Sequence, residues 1–409
     1  MSEDCCSSPS LISVDDAIAR ILDPVSVIEQ FEVVDIEDAL GRVLAEDVCS
    51  SINVPGYDNS AMDGYAVRSA DCVEPDSQLL VAQRIPAGQV GSPLEAGTAA
   101  RIFTGAPIPP NADAVVMQEH CELEGDLVSI NKPVKLAQHI RRAGEDISQG
   151  SVVLKSGHRL RPQELGLLAS VGLAKVSVRR KLKVATFFTG DEIIEPGNEL
   201  GEGQIYNSNK YTIKGLLQTT GCEMLDLGIV PDTLEATLEV LKRASSDADL
   251  VVTSGGVSVG EEDYVRIALE QLGELKMWRI AMKPGKPVAY GKVGNAIFMG
   301  LPGNPVSTFV TFLLFVKPLI LKLQGAEKYL PVKMTVIADF EWPSLKRQEY
   351  LRVRLIESDK GLLATLYPHQ GSGVLSSACW ADGLVEASMG EAIQKGDRVS
   401  YLSFSGLLG

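Results

Sequence analysis

The sequence lacks the long uninterrupted apolar run that a membrane-spanning helix needs, which is about 20 residues. Its longest candidate, Val306 to Leu321, is broken by polar residues and a proline: Ser307, Thr308, Thr311, Lys317 and Pro318. This segment therefore predicts a buried amphipathic helix, and no membrane partner is expected. The N-terminal stretch MSEDCCSSPS is acidic and lacks the basic and apolar regions of a secretory signal.

Histidine is scarce, and the cysteines follow no ligand or disulfide pattern. The chain has four histidines and seven cysteines, the latter at positions 5, 6, 49, 72, 121, 222 and 379, with no C-x-x-C pair. This argues against a His/Cys zinc centre and against a disulfide framework. The expected compartment is the cytoplasm.

The chain also lacks an excess of basic residues. It has 38 Lys and Arg against 53 Asp and Glu, a formal net charge of −15, which argues against general binding to nucleic acid or to anionic membranes. An anionic substrate would need local cations or a metal ion. A local site can overrule the global sign, because distant charges are largely screened beyond about 8 Å at physiological ionic strength.

Patterning along the 409 residues predicts a multidomain protein that combines α/β and all-β parts. We expect four units: a mixed α/β discontinuous dimerisation domain at 1–50 and 148–180, an inserted β domain at 51–147, a central α/β domain at 181–328 and a C-terminal β-barrel at 329–409. In the first unit, one helix is expected after the cap Ser13, a second is centred on 36–48, and a third runs from Pro162 to Gly172.

The central unit alternates apolar runs with helical stretches. The runs at 182–188, 224–230, 249–253 and 295–301 alternate with helices expected near 208–220, 233–244, 262–272 and 305–322. Asp232 and Glu235 resemble a capping box for the second of these helices. Such alternation predicts a doubly wound parallel sheet.

Ligands of an open parallel sheet bind outside the carboxyl ends of its strands, and polar signals collect there. The turns that follow the strands carry carboxylates, lysines, glycines and prolines: Asp191, Glu192, Asp232, Ser254, Gly255, Gly256, Ser258, Asp263, Lys283, Lys286, Pro302 and Pro305. Each signal alone has a plain reading, as a tight turn, as helix-start charge or as a solvated turn. Neither a Walker nor a Rossmann glycine motif is present. Their convergence on one rim is what favours a binding site.

The rim has the composition of a phosphate site with a bridging cation. Glycine N–H groups favour an anion, yet the neighbouring acids would repel it unless a cation lies between them. Mg²⁺ is commonly held by one or two carboxylates plus substrate phosphates. In the inserted domain, Asp63, Thr104, Arg141 and Asp146 lie in turn-rich loops, where surface turns and salt bridges are the plain alternative.

Seven motifs in this order resemble the molybdopterin molybdenumtransferase family, whose members are related to the C-terminal domain of gephyrin: NSAMDGYAV, TGAPIP, RRAGEDI, TGDE, TSGGVSVGEEDY, KPGKP and GLPGNPVS. The resemblance implies a central molybdopterin-binding domain within a homodimer. It also implies Mg²⁺-dependent insertion of molybdate into adenylylated molybdopterin with release of AMP. In dimeric members the cleft lies between the α/β domain of one subunit and the inserted domain of the other.

Matching positions give the expected site residues. Those expected to act in catalysis are Asp63, Thr104, Asp146, Glu192, Asp232 and Asp263, of which Glu192, Asp232 and Asp263 are expected to hold the metal. Those expected to bind substrate are Arg141, Ser254, Gly255, Gly256, Ser258, Lys283, Lys286, Pro302, Pro305, Arg352 and Ser372. The chain departs from many relatives at Ala143 and Arg279, which leaves the strength of anion binding open.

Two other functions fit parts of the sequence. An adenylyltransferase that activates molybdopterin with ATP would share the 181–328 unit, but the inserted domain and NSAMDGYAV count against it. A non-catalytic scaffold like gephyrin would need added partner-binding segments. For the enzyme, contacts with the adenylyltransferase and with molybdoenzyme-maturation proteins are expected.

Overall fold

The structure is a computed structural model that describes residues 11–256 and 264–408. Its helices are α1 Val14–Leu22, α2 Pro162–Ser170, α3 Ser208–Thr219, α4 Leu234–Asp247, α5 Tyr264–Leu272, α6 Pro305–Thr311, α7 Lys317–Leu323, α8 Leu375–Trp380 and α9 Phe404–Leu408. A π-helical turn, Phe312–Val316, joins α6 to α7. Helix α1 begins as expected, because Ser13 Oγ accepts from the Asp16 N–H at 3.0 Å.

The segment before the inserted strands pairs with the segment after them. The strands are β1 Phe31–Asp35, β2 Val48–Cys49, β3 Asn59–Ser60, β4 Gly64–Val67, β5 Ser77–Ile85, β6 Thr98–Ile102, β7 Ala114–Met117, β8 Cys121–Glu124, β9 Leu127–Ile130, β10 Ile140–Arg141, β11 Val152–Leu154 and β12 Lys175–Arg179. Strand β1 pairs antiparallel with β12, and β2 with β11. Six of the intervening strands form a sheet of order β7-β4-β6-β5-β9-β8, and β3 pairs separately with β10. The domain boundaries themselves stay predictions.

The second helix expected in the N-terminal segment is wrong. Only a short 3₁₀ turn, Ile36–Asp38, forms there, and Gly41 takes a φ of +75°, which ends helical continuation. The Leu44 N–H then donates to the His158 carbonyl at 3.0 Å. Pairing with a segment more than a hundred residues away wins over the local helical pattern.

The central sheet is doubly wound, with four parallel strands and an antiparallel pair. Its strands are β13 Lys183–Thr189, β16 Glu223–Val230, β17 Leu250–Ser254, β18 Gly273–Arg279, β20 Pro287–Val293 and β21 Ala296–Leu301; the short strands β14 Ile193–Ile194, β15 Ile205–Tyr206 and β19 Met282–Lys283 lie outside this sheet. The order is β16-β13-β17-β21-β20-β18. The first four are parallel, whereas β20 is antiparallel to both β21 and β18. The sequence predicts a parallel sheet and does not predict this antiparallel pair.

Helices cover both faces of this sheet. Side chains of α1, α3 and the 305–323 helix pack on one face, and those of α4 and α5 pack on the other. The segment Pro305–Leu323 is long and apolar enough to span a membrane by length and composition, but 89% of its apolar window is buried inside the protein. The expected buried helix is thereby confirmed. The cap of α4 is Thr233, which accepts from the Ala236 N–H, so the capping box expected at Asp232 is wrong.

The C-terminal strands close into a barrel. They are β22 Met334–Ala338, β23 Gln348–Ser358, β24 Gly361–Leu366, β25 Gly383–Ala387 and β26 Arg398–Ser403. The order β23-β24-β22-β26-β25 is closed by pairing of β25 with β23, which confirms the expected barrel. Strand β19 pairs with β23 and so attaches the barrel to the central unit.

Helix α2 supplies a pH-dependent contribution to stability. Glu164 accepts from the Arg161 backbone N–H at 2.9 Å and from the Arg161 guanidinium at 2.6 Å. The Arg161 side chain, and next its backbone N–H, lower the pKa of Glu164 to about 2 against the counteracting effect of burial. Because the folded pKa is depressed, this stabilisation is present above the unfolded pKa of 4.5 and is lost as the pH falls through about 2.

We therefore expect Glu164→Gln to lower the free energy of unfolding at pH 7 by about 1 kcal/mol, the usual contribution of a helix cap. The deficit should shrink as the pH falls below 4.5, and thermal melts of both proteins from pH 7 to pH 3 measure it. Glu199→Gln, at an exposed loop position, is the control and should change little. A deficit that is constant with pH would contradict the role of the charge.

Candidate functional site

The register of the central sheet brings the expected turns to one rim. Thr189 is aligned with Val230, and Ser254 with Leu301, so the parallel strands end together. Strand β20 is antiparallel to β21, so its first residue, Pro287, lies at this same rim after the loop that carries Lys283 and Lys286. From the turn after β16 to the start of β20, the rim spans four interstrand spacings, roughly 19 Å. It can therefore hold an extended ligand.

The turn after β17 requires glycine at two positions. Gly255 has a φ of +95°, and a Cβ there would lie 2.9 Å from the Thr189 carbonyl oxygen. Gly256 has a φ of +61°, and a Cβ there would lie 2.7 Å from Thr189 Oγ1. The turn after β17 is thus packed against Thr189 at the end of β13, with Gly255 against the Thr189 backbone and Gly256 against the Thr189 side chain. Any side chain would push them apart.

A buried hydroxyl ties the turn after β17 to the turn after β21. Ser254 is only 2% exposed. Its Oγ donates to the Pro302 carbonyl at 2.9 Å and accepts from Asn209 Nδ2 at 2.8 Å. Thr308 Oγ1 donates to the same Pro302 carbonyl at 2.6 Å. Ser254, buried at the end of β17, therefore fixes the positions of the two turns relative to each other.

The expected acids divide into those within and those outside the described residues. Glu192 is exposed, and its carboxylate folds over Gly190, where a Cβ would lie 2.7 Å from Glu192 Oε2. Asp232 is half-buried after β16. Asp263 and Ser258 lie outside the described residues. Within residues 11–256 and 264–408, no group of three or more His, Cys, Asp or Glu side chains could hold a metal ion.

The lysine loop contacts the barrel. Lys283 Nζ forms an ion pair with Glu349 Oε1 at 3.1 Å, and that carboxylate is buried, with 4% of its side chain exposed. Lys286 is exposed, and Gly285 lies against Thr311 of α6, where a Cβ would come within 2.4 Å of the Thr311 methyl group. Lys283 is thus held at the junction of β19 and β23, while Lys286 faces solvent.

Arg352, which the sequence predicts to bind substrate, is buried and contacts a neighbouring loop. It is 1% exposed, and its guanidinium donates to the Gly371 carbonyl and Ser377 Oγ, both at 3.1 Å. Burial lowers the pKa of Arg352 to about 10. The neighbouring Ser372 carbonyl accepts from the Val306 N–H at 2.9 Å. Arg352 therefore anchors the loop that brings Ser372 beside Pro305.

In the inserted β sheet, Asp63 and Thr104 form a pair. Asp63 Oδ1 accepts from the Thr104 backbone N–H at 2.7 Å and from its hydroxyl at 2.9 Å. These two donors, the backbone N–H first, lower the pKa of Asp63 below its ordinary value, and Arg101 adds a smaller electrostatic effect. The carboxylate is exposed and charged. It can accept a further donor or bind a cation.

Loop 141–147 is ordered by a neighbouring carboxylate. Asp58 accepts from the Ala143 backbone N–H at 2.8 Å and pairs with Arg142. Arg141, in β10, is exposed and has no ion-pair partner among the described residues. Asp146 is exposed, and its backbone N–H donates to Val54. The loop thus presents Arg141 and Asp146 to solvent, next to the exposed Arg142 and Glu145.

Sequence reasoning missed three residues at these sites. Arg101 donates to the Gly64 carbonyl at 2.8 Å and lies 4.7 Å from the Phe103 ring centroid. Asn209 joins two rim turns, and Glu349 holds Lys283. None belongs to a glycine- or acid-rich motif, so only the fold reveals their contacts. Among the described residues, no hydrogen bond or ion pair joins the inserted sheet to the rim.

Comparisons with known proteins cover almost the whole chain. Three family models match: MoeA N-terminal region (domain I and II) at 12–172, "Probable molybdopterin binding domain" at 185–322, and MoeA C-terminal region (domain IV) at 335–404. The molybdopterin molybdenumtransferase of Haemophilus influenzae is 45% identical over 320 residues, 78% of this chain and 79% of that protein. That of Nostoc is 38% identical over 354 residues, 84% of this chain and 81% of that protein.

A solved structure is similar throughout. The molybdopterin biosynthesis moeA protein from Pyrococcus horikoshii OT3 has a TM-score of 0.83 at 32% identity and covers 97% of this chain and 100% of its own. The fold is that of a multidomain protein with a central doubly wound sheet and a terminal barrel. The chain belongs to the MoeA family, which confirms the resemblance found in its motifs.

The Asp63–Thr104 pair gives a direct test of the carboxylate's environment. Thr104→Val removes the hydroxyl donor and keeps the backbone N–H, so the pKa of Asp63 should rise but stay below its ordinary value. Thr104→Ser keeps both donors and should leave the pKa where it is. Carboxyl ¹³C shifts followed through a pH titration measure each variant. An unchanged pKa in Thr104→Val would show that the hydroxyl bond does not form in solution.

Proposed function

We propose that this chain inserts molybdenum from molybdate into molybdopterin. Two relatives named molybdopterin molybdenumtransferase are similar over most of the chain, and the molybdopterin-binding family model covers the central sheet. The observation that carries the proposal is the turn at Gly255 and Gly256. Its bare backbone lies at the carboxyl edge of a parallel sheet, where such folds bind their ligands.

The substrate form is adenylylated molybdopterin, and the second product is AMP. A pyrophosphate link supplies an anion that the bare backbone at Gly256 can approach closely. The Gly255 N–H already donates to the Leu301 carbonyl at 3.2 Å. The rim is long enough for a ligand with a ring system on each side of the phosphates. Water attacks one phosphorus of the link and breaks its bond to the bridging oxygen, which releases AMP and leaves the other phosphate on the pterin.

Mg²⁺ is the cation that we propose for the rim carboxylates. Glu192 and Asp232 follow two neighbouring parallel strands, β13 and β16, and carboxylate oxygens are ligands that Mg²⁺ prefers. We propose that these two residues hold the ion together with Asp263 and substrate phosphates. When bound, Mg²⁺ neutralises charge that develops on the phosphate oxygens.

Cations at the other end of the rim suit molybdate, a doubly charged oxyanion. Lys286 is exposed there, and the Glu349 carboxylate keeps Lys283 beside it. The Ser372 loop lies next to α6, close to the same turns. We propose that Lys283, Lys286 and Ser372 bind the oxyanion, that Pro302 and Pro305 fix the turn, and that Arg352 positions the loop.

The inserted domain acts across a homodimer. Asp63, Thr104, Arg141 and Asp146 form an exposed polar surface of their own, and no hydrogen bond or ion pair among the described residues connects that surface to the rim of the same chain. A cleft between subunits would bring the two surfaces together, and a two-fold dimer would contain two such clefts. We propose that the 1–50 and 148–180 segments form the dimer contact.

A cytoplasmic location fits the free cysteines, among them the buried Cys72 and the half-buried Cys121 and Cys222. The adenylylated substrate must be supplied by an adenylyltransferase, and the product must be passed to proteins that mature molybdoenzymes. Contacts with both are part of the proposal.

Release of AMP tests the reaction. The protein with adenylylated molybdopterin, Mg²⁺ and molybdate should release AMP, and omission of molybdate should slow the release. ATP consumption with molybdopterin and no need for molybdate would instead indicate an adenylyltransferase. Absence of both activities would contradict the proposal and leave a non-catalytic role.

Subunit mixing tests the shared cleft. Asp63→Asn and Glu192→Gln keep side-chain volume and remove one charge from each surface, so each homodimer should lose most activity. When the two variants are co-expressed in equal amounts, half of the dimers are mixed and one cleft in each is intact. Activity should return to about a quarter of the wild-type value, by the symmetry of a two-fold dimer.

The matched control co-expresses Asp63→Asn with Asp63→Asn/Glu192→Gln, which leaves no cleft intact and should restore nothing. Light scattering verifies that all samples are dimers. Failure of the mixed sample to recover, with dimers present, would show that each active site is built within one subunit.

A further inference from the structure

Asn209 lies at the rim but belongs to none of the motifs that carry the expected site. It is the second residue of α3, and its Nδ2 donates to Ser254 Oγ at 2.8 Å and to the Gly303 carbonyl at 2.7 Å. One carboxamide thereby contacts the turns after both central parallel strands, β17 and β21. These are the turns proposed to meet the phosphates.

The orientation of this carboxamide is determined by its partners. The Gly303 carbonyl can only accept a hydrogen bond, so the amide nitrogen must face it. Rotation by 180° would place two carbonyl oxygens in contact and remove the hydrogen bond to Gly303. The oxygen Oδ1 is therefore fixed on the opposite side of the amide.

That oxygen is buried and accepts no hydrogen bond from any residue that the structure describes. Buried polar atoms in folded proteins are nearly always paired, and an unpaired one at a ligand site calls for a partner. Oδ1 can only accept, so a phosphate or molybdate oxygen would be repelled by it. Its partner is therefore a cation or a group that carries an N–H or O–H donor.

We propose that Asn209 is a specificity-determining residue whose Oδ1 accepts a hydrogen bond from an N–H group on a heterocycle of the substrate. This inference depends on the proposed function. The pterin ring carries a ring amide N–H and an amino group, and adenine carries an amino group, so both rings offer the required chemistry. The other amide atom, Nδ2, holds the two turns in place whichever ring binds.

The test compares the two rings separately. Affinities of Asn209→Leu for molybdopterin, which lacks adenine, and for AMP, which lacks the pterin, are measured by calorimetry. We expect about a tenfold loss for the ring that donates to Oδ1, the usual effect of leaving a donor unpaired. Loss of the two Nδ2 bonds lowers both affinities alike, so the ligand with the additional, about tenfold loss identifies the ring.

Ser254→Ala is the matched control for the two hydrogen bonds that Asn209 Nδ2 donates to the turns. It removes one acceptor of Nδ2 and the bond to Pro302 but leaves Oδ1 in place. It should therefore not reproduce the selective loss. Equal loss for both ligands in Asn209→Leu, no loss for either, or the same selective loss in Ser254→Ala would each overturn the inference. If Asn209→Leu does not fold, Asn209→Ala gives the same comparison without the added bulk.

Measurements on the wild-type protein distinguish failure of the proposed function from failure of the role proposed for Asn209. If it binds neither ligand and releases no AMP, the proposed function fails. If it binds and turns over normally while Asn209→Leu shows no selective loss, only the role of Asn209 fails.

Discussion

The buried hydroxyl of Ser254 is the contact on which the site depends. It joins the ends of β17 and β21 through the Pro302 carbonyl and receives Asn209 from α3. Gly255 and Gly256 have no side chains to fix them, so these hydrogen bonds, together with that from the Gly255 N–H to the Leu301 carbonyl, hold the turns in one conformation. The turns therefore lose their conformational entropy when the protein folds and not when a ligand binds, which favours affinity for a ligand that contacts them. Thr308 supports the same carbonyl from α6.

The charges of the rim are separated along its length, and the barrel helps to keep them so. Glu192 and Asp232 lie beyond β13 and β16, whereas the lysine loop lies at the start of β20 on the other side. Lys283 is held there by a buried carboxylate of β23, Glu349. The terminal barrel therefore contributes to the rim, because the pairing of its strand β23 with β19 places Lys283 there.

Much of the fold followed from period and turn chemistry, and the failures have physical causes. The apolar runs that alternate with helical segments predicted β13, β16, β17 and β21, because the apolar pattern of each strand lies within its own stretch of sequence. The helix expected at 36–48 failed because Leu44 pairs with a segment beyond residue 157, and no local pattern reports a contact of that range. The antiparallel strands β18 and β20 were missed because their apolar runs are interrupted, in β18 (GELKMWR) by charged residues and in β20 (PVAYGKV) by Gly291 and Lys292.

The site was predictable as a set of turns but not as a set of contacts. Glycines and acids after strands marked the rim, whereas Asn209 and Glu349 lie within a helix and a strand and become visible only when the turns meet. The most direct test is diffraction at the molybdenum edge from crystals with AMP and molybdate. The account predicts AMP phosphate against the Gly255–Gly256 turn and the molybdenum signal beside Lys283 and Lys286. Density for both ligands away from this rim would contradict it.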